Sequence, residues 1–220
     1  MLDETLWDEV VPLLGWQAPV HRLPLGPGTT TDEIARSIAG AAPERFVLVG
    51  FSLGGYIARK VAELFPERVA ALVLIATSLE SDTPERAKAK QDAIRALDPS
   101  TFRGLSMGSI AQSLHPDRRG DKELITRIRE MGRRLGYEAM VVQSGLRRDG
   151  IAAAELKCPT LVIGADHDAL RSAQETRELA NAIPGARLEV IDGSGHMLPL
   201  EQPEALVTTL QSWLLARYKQ

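Results

Sequence analysis

The sequence predicts an α/β fold in which helices cover both faces of a mostly parallel sheet. Three runs rich in Val, Ile and Leu lie at residues 46–50, 70–76 and 160–164, and each run is continuous rather than alternating. Continuous apolar runs are typical of strands that are buried on both faces of a parallel sheet. Helical patterns separate these runs, and this alternation of strand and helix favours the α/β class.

Weaker signals complete the predicted core. Two further strands are expected at residues 20–25 and 187–191. Pro66 and Pro184 mark the ends of two helices, because proline disfavours helical geometry in the residue that precedes it. The helices themselves are expected at residues 31–41, 54–65, 173–182 and 203–217.

Residues 81–150 differ in composition from the rest of the chain. They contain no strand-like run, many arginines and lysines, and apolar residues at helical spacing such as Leu124 and Ile128. We expect a helical insertion over one end of the sheet, between core segments at residues 1–80 and 151–220. Its basic side chains are expected to form a solvated helix face, and an anion site is the alternative.

Composition excludes several classes of function. The 220 residues carry 26 basic and 29 acidic side chains, and the net charge of -3 lacks the positive excess that nucleic-acid binding requires. The single cysteine, Cys158, cannot form an internal disulfide, so we expect a cytoplasmic protein. No apolar run approaches the length of a membrane span, and the acidic start differs from a signal peptide, so we expect no membrane partner. The oligomeric state is left open.

Ser52 has the sequence setting of a nucleophile. It is the centre of a G-x-S-x-G motif at residues 50–54, between a predicted strand and a predicted helix. A serine in such a sharp turn adopts strained backbone geometry. We expect glycine at Gly50 and Gly54 because a side chain there would clash with neighbouring backbone. The alternative is a helix-capping serine in a tight turn.

His196 is the expected base for this serine. A serine hydroxyl is a weak nucleophile that needs a positioned base, usually histidine, which is oriented in turn by a carboxylate. His196 lies in a loop of small residues directly after the predicted strand 187–191. The other histidines are expected to lie at the surface or to form ordinary hydrogen bonds; they are His21, His115 and His167.

Two aspartates compete for the role of the orienting carboxylate. Asp166 and Asp168 follow the predicted strand 160–164, one on either side of His167. We assign the role to Asp168 and keep Asp166 as the alternative, since an aspartate in a turn often bonds its own backbone. The same cluster suggests a metal site, but no other histidine or carboxylate lies at ligand spacing in the sequence, so we expect neither a metal nor a cofactor.

These motifs resemble those of the α/β-hydrolase superfamily, which carries serine, acid and histidine in this chain order. The resemblance is carried by residues 50–55, by Asp168 and by residues 193–203. It extends from about Leu6 to the end of the chain. The family has a glycine three residues before the acid, where this chain has Ala165, and this departure keeps the other aspartate open.

The resemblance implies acyl transfer. Ser52 would attack a carbonyl carbon, His196 would take and return the proton, and Asp168 would hold the imidazole. The backbone N–H of Leu53 would donate one hydrogen bond to the oxyanion. The insertion at residues 81–150 is similar to the family's lid. Its apolar residues would either line the pocket or form the core of the lid; they include Phe102, Leu105, Met107, Ile110 and Leu114.

The beginning of the sequence departs from the family. The resemblance implies a strand, and a loop with a second oxyanion donor, before the segment at residues 6–8. These N-terminal strands are expected to be missing, with Met1 as an internal methionine of a longer natural chain. The alternative is a fold that closes the gap by pairing residues 20–25 directly with residues 46–50. A chain that truly starts at Met1 is expected to hydrolyse weakly or not at all.

The predicted function is hydrolysis of a small carboxylic ester, or of a related acyl bond, by a serine hydrolase that forms an acyl-enzyme intermediate. Thioester, lactone and carbon-carbon bond hydrolysis, and perhydrolysis, are closely related chemistries of the same fold, and the sequence does not separate them. The alternative is a non-catalytic or weakly active binding protein that keeps the pocket of a truncated fold.

Overall fold

One parallel sheet organises the molecule. The structure is a computed structural model and describes residues 1–218. Its four strands lie in the same order in the sheet as in the chain, and each neighbouring pair is parallel. The carboxyl ends of these strands therefore meet at one edge, which is where open α/β sheets carry their sites. The strands are β1 (Phe46–Phe51), β2 (Val69–Ile75), β3 (Thr160–Ala165) and β4 (Arg187–Ile191).

Helices separate and cover the strands, so the predicted α/β fold with a mostly parallel sheet is confirmed. They are α1 (Val10–Leu13), α2 (Thr31–Ala41), α3 (Leu53–Leu64), α4 (Pro84–Arg95), α5 (Met107–Ser113), α6 (Lys122–Gly145), α7 (Ala173–Ala182), α8 (Leu198–Glu201) and α9 (Pro203–Tyr218). Short 3-10 helices occur at Glu4–Trp7, Pro99–Thr101 and Pro116–Arg118. Within residues 1–218, none of these helices combines the length and the apolar character needed to cross a membrane.

Capping residues explain where two of the helices begin. Thr30 accepts a hydrogen bond from the backbone N–H of Glu33, and the Glu33 carboxylate accepts one from the backbone of Thr30. Ser172 and Glu175 repeat this reciprocal arrangement at the start of α7. Each pair satisfies amide groups that have no acceptor within the helix.

The central strand β2 is buried on both faces of the sheet, and its successive side chains point to opposite sides. In β2, Val73 and Ile75 join a core with α1, α9 and the insertion. Leu72 and Leu74 join a second core with α2, α3 and α7. All four side chains are fully buried. This two-sided burial is the reason for the continuous apolar run that predicted the strand.

The predicted strand at residues 20–25 is wrong. This segment has no regular secondary structure, and Val20 is exposed. Pro24 has no N–H to donate to a strand ladder, and the glycines that follow, Gly26 and Gly28, have positive φ angles that end an extended segment. Among the described residues, the direct pairing of this segment with β1 therefore does not occur.

The helical insertion shares the core of the sheet. Ile110, Leu114, Ile128 and Met131 are buried in the same cluster as side chains of β2 and β3. For Ile110 and Leu114 the structure thus shows core packing rather than pocket lining, whereas Met107 is 46% exposed. The division of the chain at residues 81 and 150 stays a prediction.

Several basic side chains of the insertion form ion pairs and remain partly exposed. Arg134 Nε lies 2.6 Å from Asp3 Oδ2, and Arg127 pairs with Glu9, so both arginines join α6 to the start of the chain. Arg133 pairs with Glu130 on α6 itself. These contacts favour the solvated helix face over an anion site.

Replacing Ile128 by alanine is expected to lower the free energy of unfolding by about 2–5 kcal/mol, since it removes buried methyl groups from the shared core. We expect a single cooperative transition with a lower midpoint in urea, measured by circular dichroism. The control is Val141→Ala on the same helix, where the side chain is 38% exposed. A loss confined to a separate, earlier transition would show that the insertion unfolds independently of the sheet.

Candidate active site

Ser52 is the single residue between β1 and α3, and its backbone has φ 50° and ψ -115°. Such a conformation costs a residue other than glycine on the order of 1–3 kcal/mol. Two hydrogen bonds hold it in place: Ser52 N–H donates to the Ile75 carbonyl at 2.9 Å, and Gly55 N–H donates to the Ser52 carbonyl at 3.0 Å. The Ser52 side chain forms no capping hydrogen bond with α3, which argues against a helix-capping role.

Two glycines allow this turn, and they are not quite the expected pair. A Cβ atom on Gly50 would lie 2.5 Å from the carbonyl oxygen of Gly54 and 2.7 Å from Ala58 Cβ. A Cβ atom on Gly55 would lie 2.5 Å from Thr77 Cγ2. A Cβ atom on Gly54 would have no heavy atom within 4 Å, apart from its chain neighbours and the backbone of its own helix. The expected clash is therefore found at Gly50 but is wrong for Gly54, and Gly55 is the second crowded position.

His196 stands between the hydroxyl and a carboxylate. It lies in the loop between β4 and α8, and its ring is buried. Its Nε2 is 2.9 Å from Ser52 Oγ, and its Nδ1 is 2.8 Å from Asp168 Oδ2. Because an ionised carboxylate only accepts hydrogen bonds, Nδ1 carries the proton and Nε2 accepts from the Ser52 hydroxyl. The three side chains form one continuous chain of hydrogen bonds.

The structure brings Asp168, and not Asp166, to the imidazole. Asp168 Oδ1 accepts from the backbone N–H groups of Leu170 at 2.8 Å and Arg171 at 2.9 Å, which turns Oδ2 towards the ring. Asp166 Oδ1 instead accepts from the Ser194 N–H at 3.1 Å. Burial raises the pKa of Asp166, but hydrogen bonds from the backbone of the histidine loop outweigh it and hold that pKa below its usual value.

The histidine loop is bound directly to the insertion. His196 N–H donates to the Ser113 carbonyl at 2.7 Å. A Cβ atom on Gly195 would lie 2.5 Å from the His115 nitrogen and 2.6 Å from the Ser113 carbonyl oxygen. Only glycine permits this approach of two backbones, so the insertion helps to fix the position of the imidazole.

Glu201 is a positioning residue that the sequence analysis missed. Its carboxylate is buried, and its Oε2 accepts from Gly195 N–H at 2.9 Å while its Oε1 accepts from His115 N–H at 2.7 Å. One side chain thereby joins the histidine loop to the insertion. The sequence signal that could have indicated it is a single acidic residue directly after the apolar residues 197–200. Such a position suggests a buried carboxylate, and a buried charge needs hydrogen-bond partners.

The backbone N–H of Leu53 lies at the first position of α3, where amide groups have no acceptor within the helix. It directly follows Ser52, as the expected oxyanion donor must. The partial positive charge of the helix N-terminus adds to the attraction for an anion at this point.

The sequence comparison decides the family. Residues 8–209 match the family described as "Alpha/beta hydrolase family". This chain belongs to the alpha/beta hydrolase family. The predicted resemblance is thereby confirmed.

Individual proteins resemble this alpha/beta hydrolase over nearly its whole length. It is 29% identical over 232 residues to the pyrrolizixenacetamide deacetylase of Xenorhabdus hominickii, across 97% of this chain and 86% of that protein. A thermophilic esterase from Thermogutta terrifontis superposes with a TM-score of 0.79 at 26% identity, across 97% of this chain and 85% of that one. The enol-lactonase from Burkholderia xenovorans shares the fold, with a TM-score of 0.81 at 20% identity across 97% and 87% of the two chains.

Alanine substitutions at the two glycines of the motif, Gly50 and Gly54, are expected to have different effects on the free energy of unfolding. Gly50→Ala places Cβ against backbone and is expected to cost about 1–3 kcal/mol of unfolding free energy. Gly54→Ala meets no such contact and is expected to be neutral or to stabilise α3 by up to about 1 kcal/mol. Urea unfolding of both variants measures the difference, and equal losses would contradict the assigned crowding.

Glu201→Gln is expected to loosen the histidine loop, because an amide nitrogen must then face a backbone N–H donor. We expect a loss of about 1–3 kcal/mol in unfolding free energy. We also expect the hydrogen-bonded Nδ1 proton of His196 to broaden in the proton NMR spectrum, which a purely structural loss elsewhere does not cause. The control is Glu204→Gln, at an exposed carboxylate nearby. An unchanged His196 signal in Glu201→Gln would contradict the positioning role.

Proposed function

We propose that this alpha/beta hydrolase cleaves small carboxylic esters, with Ser52 as nucleophile, His196 as general base and acid, and Asp168 as the orienting carboxylate. The observation that carries the proposal is the unbroken hydrogen-bond chain from Ser52 Oγ through the imidazole to Asp168 Oδ2, with lengths of 2.9 Å and 2.8 Å. Such a chain, on a strained strand-to-helix turn, is the arrangement that activates a serine hydroxyl.

Acylation begins at the hydroxyl. Ser52 Oγ attacks the ester carbonyl carbon while its proton passes to His196 Nε2. The tetrahedral intermediate then collapses, the carbon–oxygen bond to the alcohol breaks, and the imidazolium returns the proton to the departing alkoxide. Asp168 stabilises the imidazolium without taking its proton.

Deacylation repeats these steps with water. His196 Nε2 removes a proton from a water molecule, whose oxygen attacks the acyl-serine carbonyl. The second intermediate expels Ser52 Oγ, which recovers its proton from the imidazolium. One ester and one water yield one carboxylic acid and one alcohol, and the protein is regenerated.

The developing oxyanion needs hydrogen-bond donors. Leu53 N–H supplies one of them, on the backbone of the rigid turn, where it requires no movement during the reaction. The loss of a single donor of this kind costs on the order of 3 kcal/mol of transition-state stabilisation in serine hydrolases.

The relatives support the chemical class. The protein from Xenorhabdus hominickii is named a deacetylase, and the structure from Thermogutta terrifontis is that of an esterase. Both names describe cleavage of an acyl bond, and a small acyl substrate in the cytoplasm remains our expectation for this chain. The helical insertion would act as the lid of the site.

The test is hydrolysis of short-chain p-nitrophenyl esters together with labelling by a fluorophosphonate probe. Ser52→Ala is expected to abolish labelling and to lower kcat by at least about 1000-fold. Ser81→Ala, at an exposed serine, is the control and is expected to retain both.

The two aspartates provide a matched comparison in the same assay. Asp168→Ala is expected to lower kcat by at least about 1000-fold because the imidazole loses its partner, whereas Asp166→Ala is expected to stay within about tenfold of the original. Labelling that survives Ser52→Ala would sink the proposal. Equal turnover with and without the Ser52 hydroxyl would favour the alternative of a non-catalytic binding protein.

A further inference from the structure

Three potential metal ligands meet beside the histidine loop. His115 comes from the insertion, whereas Asp166 and His167 come from the loop that follows β3. One nitrogen or oxygen atom from each of these side chains lies within 4.8 Å of the corresponding atoms of the other two. The two imidazole rings are 4.5 Å apart between centroids at an angle of 73°, and His167 Nδ1 is 2.9 Å from Asp166 Oδ2.

The backbones that carry these ligands are already anchored. His115 N–H donates to Glu201 Oε1 at 2.7 Å. Asp166 N–H donates to the Ile191 carbonyl at 3.2 Å, and His167 N–H donates to the Ser194 carbonyl at 3.1 Å. Binding a ligand here therefore needs little ordering of main chain, and the entropic cost falls on the side chains alone.

In His115 and in Asp166, one polar atom of the side chain accepts a hydrogen bond from the backbone, and the other atom is the candidate metal ligand. His115 Nδ1 accepts from the backbone N–H of Asp117 at 3.3 Å, which leaves Nε2 for a ligand. Asp166 Oδ1 accepts from the Ser194 N–H, and Oδ2 is paired with His167 Nδ1 at 2.9 Å, so a metal ion at Oδ2 would replace that contact with His167. A metal ligand whose second polar atom is already bonded is the usual arrangement in protein metal sites.

We propose that His115, Asp166 and His167 bind a divalent transition-metal ion of the Zn²⁺ class. Two imidazoles and one carboxylate suit zinc, nickel and copper, whereas magnesium and calcium prefer oxygen ligands throughout. The His167 side chain is 49% exposed and that of Asp166 is 25% exposed, so an ion enters from solvent and keeps room for a water ligand. Ligands at about 2.1 Å from zinc lie about 3.4 Å from each other, and side-chain rotation supplies this closure.

Such an ion would join the insertion to the loop that carries Asp168. His115 belongs to the segment that is bonded to the histidine loop, and Asp166 and His167 directly precede Asp168. Because the ligands are brought together only by folding, the ion binds the folded chain and stabilises it. This proposal does not depend on ester hydrolysis, since both of its readouts are independent of turnover.

The experiment is calorimetric titration of the untagged full chain with zinc chloride. We expect one strongly bound zinc ion per chain. His115→Ala and His167→Ala are each expected to weaken zinc binding by at least about 10-fold. Even the loss of a residue that only hydrogen-bonds to a metal ligand typically weakens binding by about 10-fold to 100-fold. His21→Ala, at an exposed histidine outside the cluster, is the control and is expected to bind as the original does.

Thermal unfolding supplies the second measurement. Zinc at about 100 times its dissociation constant is expected to raise Tm by about 5–10 °C in the original chain and in His21→Ala, and a chelator is expected to reverse the shift. Magnesium is expected to give no shift. The metal-free Tm of each variant shows whether it folds.

Two results would overturn the proposal. One is zinc binding that is equally strong in folded His115→Ala and His167→Ala, which would locate the ion elsewhere. The other is the absence of both binding heat and Tm shift in the original chain at millimolar zinc.

Discussion

The backbone conformation of Ser52 is the constraint on which the site depends. A positive φ at a serine is unfavourable, and it persists because the neighbouring elements over-determine it. The hydrogen bond to Ile75 fixes the end of β1 against β2, and the close approach of Gly50 to Gly54 lets α3 begin immediately. The hydroxyl consequently stands at the carboxyl edge of the sheet. The loops after β3 and β4, two strands that lie beyond β2 in the sheet, then reach it with Asp168 and His196.

The parts of the fold that were predictable from sequence have local causes. The runs at residues 70–76 and 160–164 became strands that are buried on both faces, which leaves a continuous apolar signal. The run at residues 46–50 became a strand at the edge of the described sheet, and its first four side chains are partly buried on both faces. The run at residues 20–25 shows the limit of that signal. It contains apolar residues, but Pro24 and the glycines after it prevent strand pairing, and the segment has no regular secondary structure. Val20 is exposed, and Leu25 is partly buried against the core that contains α2 and α3.

The candidate site was predictable in its residue types and chain order but not in its orientation. Asp166 and Asp168 both follow β3 in the sequence. Their different backbone partners, Ser194 for the first and Leu170 and Arg171 for the second, accompany the turn of Asp168 to the imidazole. Glu201 and His115 escaped prediction for a related reason. Their partners lie far away in the chain, and no periodicity or spacing records a contact made by tertiary packing.

The hydrogen bond from His196 N–H to the Ser113 carbonyl ties the position of the imidazole to the insertion. Residues 113–115 and the histidine loop are clamped together, with Glu201 bonded to both. A molecule that separated these two segments would also move the His196 imidazole away from Ser52 Oγ. Under the proposed function, a substrate therefore has to reach Ser52 without separating these two segments.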